Sequence, residues 1–222
     1  MTAAFEHFLY PNIPTTNWQM LPSERMALTG LLARLRPKVA LEIGIFYGGS
    51  LNLISQFAEQ VWALDIDPQV TERFARPANV DIRIGDSNTM LASMLAELDG
   101  QGLTPDFVLL DADHSTEGVL RDLKVLLTIR PRAPMVILMH DSGNPACRQG
   151  MSSAPWASNP YVHDLDLDFV PGQMVAGGAP GKYEVWGGFG LAYLRPEPRT
   201  NDLTIRTTGL ATILELHRAT AA

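Results

Sequence analysis

One pattern recurs five times between residues 38 and 141: a short apolar run, a turn and, after each of the first four runs, a stretch with helical spacing. The runs are KVALEIG (38–44), VWALDID (61–67), VDIRIGD (80–86), PDFVLLDAD (105–113) and APMVILMHD (133–141). Helices are predicted between them at 48–60, at about 68–76, at about 88–98 and at 116–129. Strands joined through a helix run parallel, because the crossover carries the chain back to the edge it started from. Apolar runs with little alternation belong to strands covered on both faces. The predicted fold class is therefore α/β, a doubly wound sheet with helices on either side.

The flanks are less regular. Residues 1–21 read as an arm. Ser23 then reads as an N-cap, and Met26, Leu28, Leu31, Leu32 and Leu35 as an apolar helical face that Pro37 closes. After residue 141, two segments broken by Pro and Gly, 142–161 and 171–188, are predicted as long loops, the kind that carry function in a compact domain. VHDLDLDFV (162–170) and FGLAYLRP (189–196) read as strands. The stretch at about 207–219 reads as an amphipathic helix with Leu210, Ile213, Leu214 and Leu216. The whole of 1–222 is taken as one domain.

Charge narrows the partners. A formal net charge of −7 argues against a phosphate-tracking surface, so nucleic acid is not the expected partner. A single cysteine, Cys147, excludes an internal disulfide and fits a reducing cytoplasm. No basic leader with an apolar core opens the sequence, and no apolar run reaches the length of a membrane span. A small molecule is the expected ligand.

The turn EIGIFYGGS follows the first strand and opens the next helix, which is where ligands bind in such a sheet. A dinucleotide fingerprint needs a middle glycine so that the backbone can approach a pyrophosphate. Gly44 and Gly49 suit the outer positions, but Phe46 stands at the middle one, which speaks against a nicotinamide oxidoreductase. Asp65 ends the second strand 21 residues beyond Gly44, a spacing that suits ribose hydroxyls. GDSN (85–88) offers polar groups for an adenine. The inferred ligand is an adenosine without a diphosphate.

EIGIFYGGS, ALDIDP, RIGDS, LLDADHSTEGV and MHDSG together resemble, in order and spacing, the class I S-adenosylmethionine-dependent methyltransferases. Among these the chain is most similar to small-molecule O-methyltransferases, the catechol/caffeoyl-CoA type and the macrocin and cephalosporin-hydroxylase-like group, over roughly residues 20–195. The resemblance implies a sheet of about seven strands with the last antiparallel, and FGLAYL fits that strand. It implies that Glu42 and the loop residues Gly44, Phe46, Tyr47, Gly48 and Ser50 face the methionine part of the cofactor. Asp65 would hold the ribose with Ile66 beside it, Asp86 and Ser87 would lie near the adenine, and Asp111 would border the cofactor.

Two acidic strand ends complete the reading. Asp111 and Asp141 close the fourth and fifth strands, which are neighbours roughly 5 Å apart, so their carboxylates can share one divalent cation. In the metal-dependent relatives the matching acids are ligands to Mg2+ and an Asn follows the second; this chain has Ser142 there, with Asn144 two positions on. His114 stands where the catechol type carries a Lys, and a neutral imidazole accepts a proton near pH 7. Asp111 and His114 are the candidate catalytic residues, and Asp111, Asp141 and Ser142 the candidate metal ligands. Trp18, Met20, Trp156, Tyr161 and Trp186 are candidates for the acceptor pocket. The expected activity is O-methylation of a small hydroxylated molecule, a phenol, sugar or natural product, by a cytoplasmic enzyme whose terminal segments suit a homodimer. The rival readings are a cofactor-binding protein of the same fold without methyl transfer, and the nicotinamide enzyme.

Overall fold

The computed structural model describes residues 18–178 and 182–206. The arm as far as residue 17 and the helix expected at 207–219 lie outside the described residues. The elements are α1 (Pro22–Leu35), β1 (Val39–Ile43), α2 (Gly49–Phe57), β2 (Gln60–Asp65), α3 (Val70–Arg73), β3 (Val80–Ile84) and α4 (Ser87–Gly100). They continue with β4 (Phe107–Leu110), α5 (Thr116–Leu126), β5 (Met135–His140), α6 (Pro145–Ser153), a 3-10 turn (Trp156–Ser158) and β6 (Val162–Val170). The last are β7 (Gln173–Ala176), β8 (Tyr183–Trp186), β9 (Phe189–Leu194) and β10 (Ile205–Arg206).

Among the described residues the main sheet has eight strands in the order β10-β6-β9-β5-β4-β1-β2-β3. The five strands β3, β2, β1, β4 and β5 are parallel, and β9 is antiparallel to both β5 and β6. The expected antiparallel strand is thus β9, inserted between β5 and β6, with the two-residue β10 added at the edge. Sequence alternation on the strands feeds two cores. Val39, Leu41 and Ile43 face Leu91, Leu98, Leu123 and Leu126 of α4 and α5. Ala40, Val61 and Leu109 face Leu28 and Leu32 of α1 and Leu51 and Ile54 of α2.

Three expectations are corrected. Helix α1 starts at Pro22, not behind a Ser23 cap, since Pro at the first helical position lacks only a hydrogen that would have no helical acceptor. Its buried stripe runs through Glu24, Leu28 and Leu32, while Met26 is 50% exposed. The segment 142–161 is not a plain loop: Asn144 caps α6 by accepting from the N–H groups of Ala146 and Cys147 at 2.9 and 3.3 Å, with Pro145 following. The segment 171–188 is largely a two-stranded hairpin, β7 with β8.

Strand order reverses between β1 and β4, and the carboxyl ends of these strands open a crevice there. The two loops touch backbone to backbone. The N–H of Asp111 donates to Ile43 O at 2.8 Å, and a Cβ added to Gly44, whose φ is +92°, would stand 1.9 Å from Asp111 O. Gly44 is therefore required by close approach as well as by its conformation.

Candidate active site

The crevice is a cleft of about 860 Å3 over the ends of β1, β2, β4 and β5. The half predicted to take the cofactor is built from backbone. The Asp65 carboxylate accepts from the N–H groups of Ile45 and Phe46 at 2.7 and 3.1 Å through Oδ2, and from Asp67 N–H at 2.8 Å through Oδ1. A carboxylate has about four acceptor positions, so Asp65 both shapes the loop and keeps capacity for a ribose hydroxyl. Gly44, Phe46, Tyr47, Ser50, Asp65, Ile66, Asp86, Ser87 and Asp111 all line the cleft. Phe46 and Ile66 do so with 51% and 70% of their surface exposed, apolar area that a bound adenosine would cover.

Two predicted cofactor residues stand behind this wall. Gly48 caps α2 and packs on Phe74. Glu42 is fully buried and accepts a hydrogen bond from the Ser50 hydroxyl, while its Oε2 has no hydrogen-bond partner. Burial pushes the Glu42 carboxyl well above the usual range, against the Ser50 hydrogen bond. At the end predicted to face the adenine, Asp86 caps α4 by accepting from Asn88 N–H at 2.8 Å. The Ser87 hydroxyl lies 2.9 and 3.0 Å from the two oxygens of the buried Asp122. Arg121 lines the cleft there, 3.5 Å from Asp113 and 3.6 Å from Asp122. Asp113 accepts from Ser115 N–H at 2.9 Å and so belongs to the turn that opens α5.

The half predicted to take the acceptor is built from charge. Leu110 pairs with Met139, so Asp111 and His140 leave the sheet side by side. Asp111 Oδ1 lies 3.0 Å from His140 Nδ1 and 3.3 Å from His114 Nε2. Asp141 Oδ2 lies 3.5 Å from His140 Nδ1 and 3.1 Å from His114 Nε2. The other Asp141 oxygen accepts from Gly187 N–H at 2.6 Å, and Asp141 itself sits at φ +56°, an uncommon backbone state for a side-chain-bearing residue. Burial would raise the Asp111 carboxyl, but His140 and then His114 outweigh it and hold its pKa at about 2. The hydrogen bond to Asp111 raises His114 against the opposing effect of burial. Burial would lower His140, yet Asp111, Asp141 and Glu24 carry it well above the ordinary histidine value. Cys147 is no competing nucleophile, because burial, then Asp141 and Asp111, push its thiol up to about 12.

The donor set was tested against Mg2+ by its chemistry. One ligand atom from each of Asp111, His114 and Asp141 falls within 4.8 Å of the others, so an ion would meet two carboxylate oxygens and an imidazole nitrogen. Mg2+ favours an octahedron of oxygens. Ser142 does not supply the missing one, since it is buried against the Gly188 turn and does not line the cleft. Asp111 Oδ1 and Asp141 Oδ2 each already lie within 3.0–3.5 Å of nitrogens from both His114 and His140. As it stands, this set does not suit Mg2+.

Of the aromatic candidates, Trp18, Met20 and Trp186 line the cleft. Trp186 meets the His114 ring edge-on with centroids 6.0 Å apart. Trp156 is instead a core residue whose indole donates to Met151 O, and Tyr161 packs beneath Arg130 away from the cleft. Sequence reasoning missed Glu24, which lies fully buried at the cleft floor with His140 Nε2 3.3 Å away. The available signal was an acid on the buried stripe of α1, four residues before Leu28. It also missed Gln173 and Val175 of the hairpin.

The family model described as rhamnosyl O-methyltransferase/CmcI matches residues 5–163. A search of curated proteins gives no match. Among solved structures, the O-methyltransferase from Bacillus cereus in complex with SAH superposes with a TM-score of 0.57 at 18% identity, covering 83% of this chain and 85% of that one. The O-methyltransferase TomG from Streptomyces achromogenes, in complex with SAM, gives 0.50 at 19% identity over 87% and 88%. The MycE methyltransferase of the mycinamycin pathway, in complex with Mg, SAH and mycinamycin VI, gives 0.52 at 16% identity over 88% and 54%. At these identities the likeness establishes a shared fold.

Proposed function

The chain belongs to the rhamnosyl O-methyltransferase/CmcI family, and from that premise we propose that it transfers a methyl group from S-adenosylmethionine to a hydroxyl of a small molecule. The observation that carries this reading is the meeting of the cofactor loop with the Asp111–His114 pair in one cleft, joined by the Gly44–Asp111 contact. The bound sulfonium supplies an electrophilic methyl carbon. The C–S bond breaks as the C–O bond forms, and the hydroxyl proton must leave.

His114 takes that proton. Its Nε2–H, held between Asp111 and Asp141, leaves Nδ1 as the basic nitrogen. Asp111 raises the basicity of the ring and stabilises the imidazolium that forms. Most of the acceleration is positional, with the acceptor oxygen held in line with the methyl carbon. Trp18 and Met20 on one side and the β7–β8 hairpin with Trp186 on the other form the acceptor walls. No step is assigned to Mg2+.

The same reading takes 1–222 as a single methyltransferase domain, cytoplasmic and homodimeric through its terminal segments, which sedimentation checks. Among the described residues no helix is long and apolar enough to cross a membrane. Phe46 lines the cleft with its side chain where a dinucleotide would need bare backbone, which counts against the nicotinamide reading. Calorimetry with SAH is expected to give a Kd of roughly micromolar order, and radiolabelled methyl should pass to at least one acceptor of a hydroxylated panel. Absence of SAH binding would overturn the proposal.

A further inference from the structure

Three carboxylates, Glu24, Asp111 and Asp141, meet at the floor of the acceptor half, and His140 stands among them. Its Nδ1 lies 3.0 Å from Asp111 Oδ1 and 3.5 Å from Asp141 Oδ2, and its Nε2 lies 3.3 Å from Glu24 Oε2. The Nδ1 side is within hydrogen-bond reach of Asp111, while Nε2 is buried beside Glu24 without a hydrogen-bond partner. The ring is 10% exposed, and Phe189 packs against it with centroids 5.4 Å apart. The neighbouring acids are themselves held: Glu24 accepts from the N–H groups of Leu21 and Gly188, and Asp141 accepts from Gly187 N–H.

We infer that the His140 side chain, backed by Glu24, takes the place between Asp111 and Asp141 that a divalent ion would need, so that methyl transfer here runs without one. The inference rests on the methyl-transfer reading and adds to it the role of two residues that do not touch the reacting atoms. Position supports it, because the His140 Nδ1 lies within 3.5 Å of one oxygen from each acid, Asp111 Oδ1 and Asp141 Oδ2. Chemistry supports it as well. Mg2+ takes oxygen ligands, and the groups set between these two acids are imidazole nitrogens of His140 and His114. Glu24 is a positioning residue: from α1 it stands against the far side of the ring, and its own carboxylate is anchored by backbone N–H groups.

The test is titration of Mg2+, and separately Mn2+, into the wild-type protein by calorimetry, with methyl transfer measured in chelator and in added ion. Wild type is expected to bind Mg2+ with a Kd above about 10 mM and to show the same transfer rate in both solutions. His140→Gln keeps a polar side chain of similar reach but removes the imidazole, and should bind Mg2+ at least about tenfold more tightly, a difference of about 1.4 kcal/mol. SAH binding by that variant reports that it has folded. Should it fail to fold, the wild-type ion titrations and the chelator comparison decide the question alone. Sub-millimolar Mg2+ or Mn2+ binding by wild type, or loss of transfer on chelation, would each overturn the inference. Failure of the methyl-transfer reading would show separately, as absent SAH binding, and leaves the ion titration interpretable.

Discussion

Residues 42–87 supply nearly all of the cofactor half of the cleft, whereas the acceptor half draws Glu24, Asp111, His114, His140, Asp141 and Trp186 from across the chain. The first half is fixed by backbone: loop N–H groups on Asp65, a left-handed Gly44, and a loop contact that leaves no room for a methyl group. The second is fixed by side-chain charge, with two acids and two imidazoles sharing their hydrogen bonds and Glu24 closing the set. A half made of backbone should tolerate lost side-chain atoms and fail when atoms are added. A half made of charge should tolerate small changes in shape and fail when one charge is removed.

The sharpest attempt to break this contrast is Gly44→Ala. The new Cβ would stand 1.9 Å from Asp111 O and 2.5 Å from its carbonyl carbon, both backbone atoms that no rotamer can move aside. The φ of +92° adds strain of its own. A loss of about 3–5 kcal/mol in unfolding free energy is expected, with SAH binding abolished. Denaturant unfolding measures the first and calorimetry the second. A variant as stable as wild type would show that the loops move freely and that the backbone description of this half is wrong.

His114→Ala probes the other half by removing an imidazole shared between two acids without adding atoms. Turnover should fall roughly 100- to 1,000-fold while SAH affinity changes less than about twofold. The pH profile carries a sign. The base works in its neutral form, so turnover should rise with pH through a pKa above the ordinary histidine value of 6.5, because Asp111 raises it. Asp111→Asn should move that inflection downward. The same shift links to stability: the protonated His114 contribution is fully present below the ordinary histidine pKa and is lost as pH rises through the raised folded value. Turnover that falls with rising pH across this range would exclude His114 as the base.

Trp186→Ala asks whether the hairpin serves the acceptor alone. The indole stands edge-on to His114 and its Nε1 donates to Glu184 at 2.8 Å, so the ring is held in place before anything binds. Acceptor KM should rise about tenfold with SAH affinity unchanged. A fall in SAH affinity instead would mean that the hairpin closes over both ligands and that the division of the cleft is too clean.

The same contrast explains what could be read from sequence. Five apolar runs with helices between them announced the parallel sheet, because burial on both faces writes itself into each strand. That Gly44, Asp65 and Asp86 would line the cleft was legible because strand, turn and helix follow one another within a few residues, so this loop is a local motif. Glu24 was not, because an acid on a helix reads as solvated until the fold brings His140 of β5 against it. The position of Ser142 was hidden for a related reason: it follows Asp141 in sequence, but the left-handed turn at Asp141 buries it against Gly188 and away from the cleft. Trp156 and Tyr161 were assigned to the pocket because 142–161 looked like a loop, and the Asn144 cap with Pro145 turned that segment into a helix packed on the core.

Glu42→Gln gives the smallest expected effect and the finest test of the contrast, because it removes a titratable group from the half that backbone holds. Glu42 is fully buried, and burial pushes its carboxyl well above the ordinary value of 4.5. For a raised folded pKa, the contribution to stability is complete below the unfolded value and is lost as pH rises through the folded one. Wild type therefore loses stability as pH rises above about 4.5, whereas the Gln variant, whose carbonyl can still accept from the Ser50 hydroxyl, has no proton to lose. The two proteins should unfold alike at acid pH, with the variant more stable by about 1 kcal/mol at pH 8. If Glu42 is kept for the methionine part of the cofactor, the same variant should bind S-adenosylmethionine more weakly while resisting denaturant better. A variant that is less stable than wild type at pH 8 would mean that this buried carboxylate holds the loop by its charge, and the cofactor half would no longer stand apart from the acceptor half.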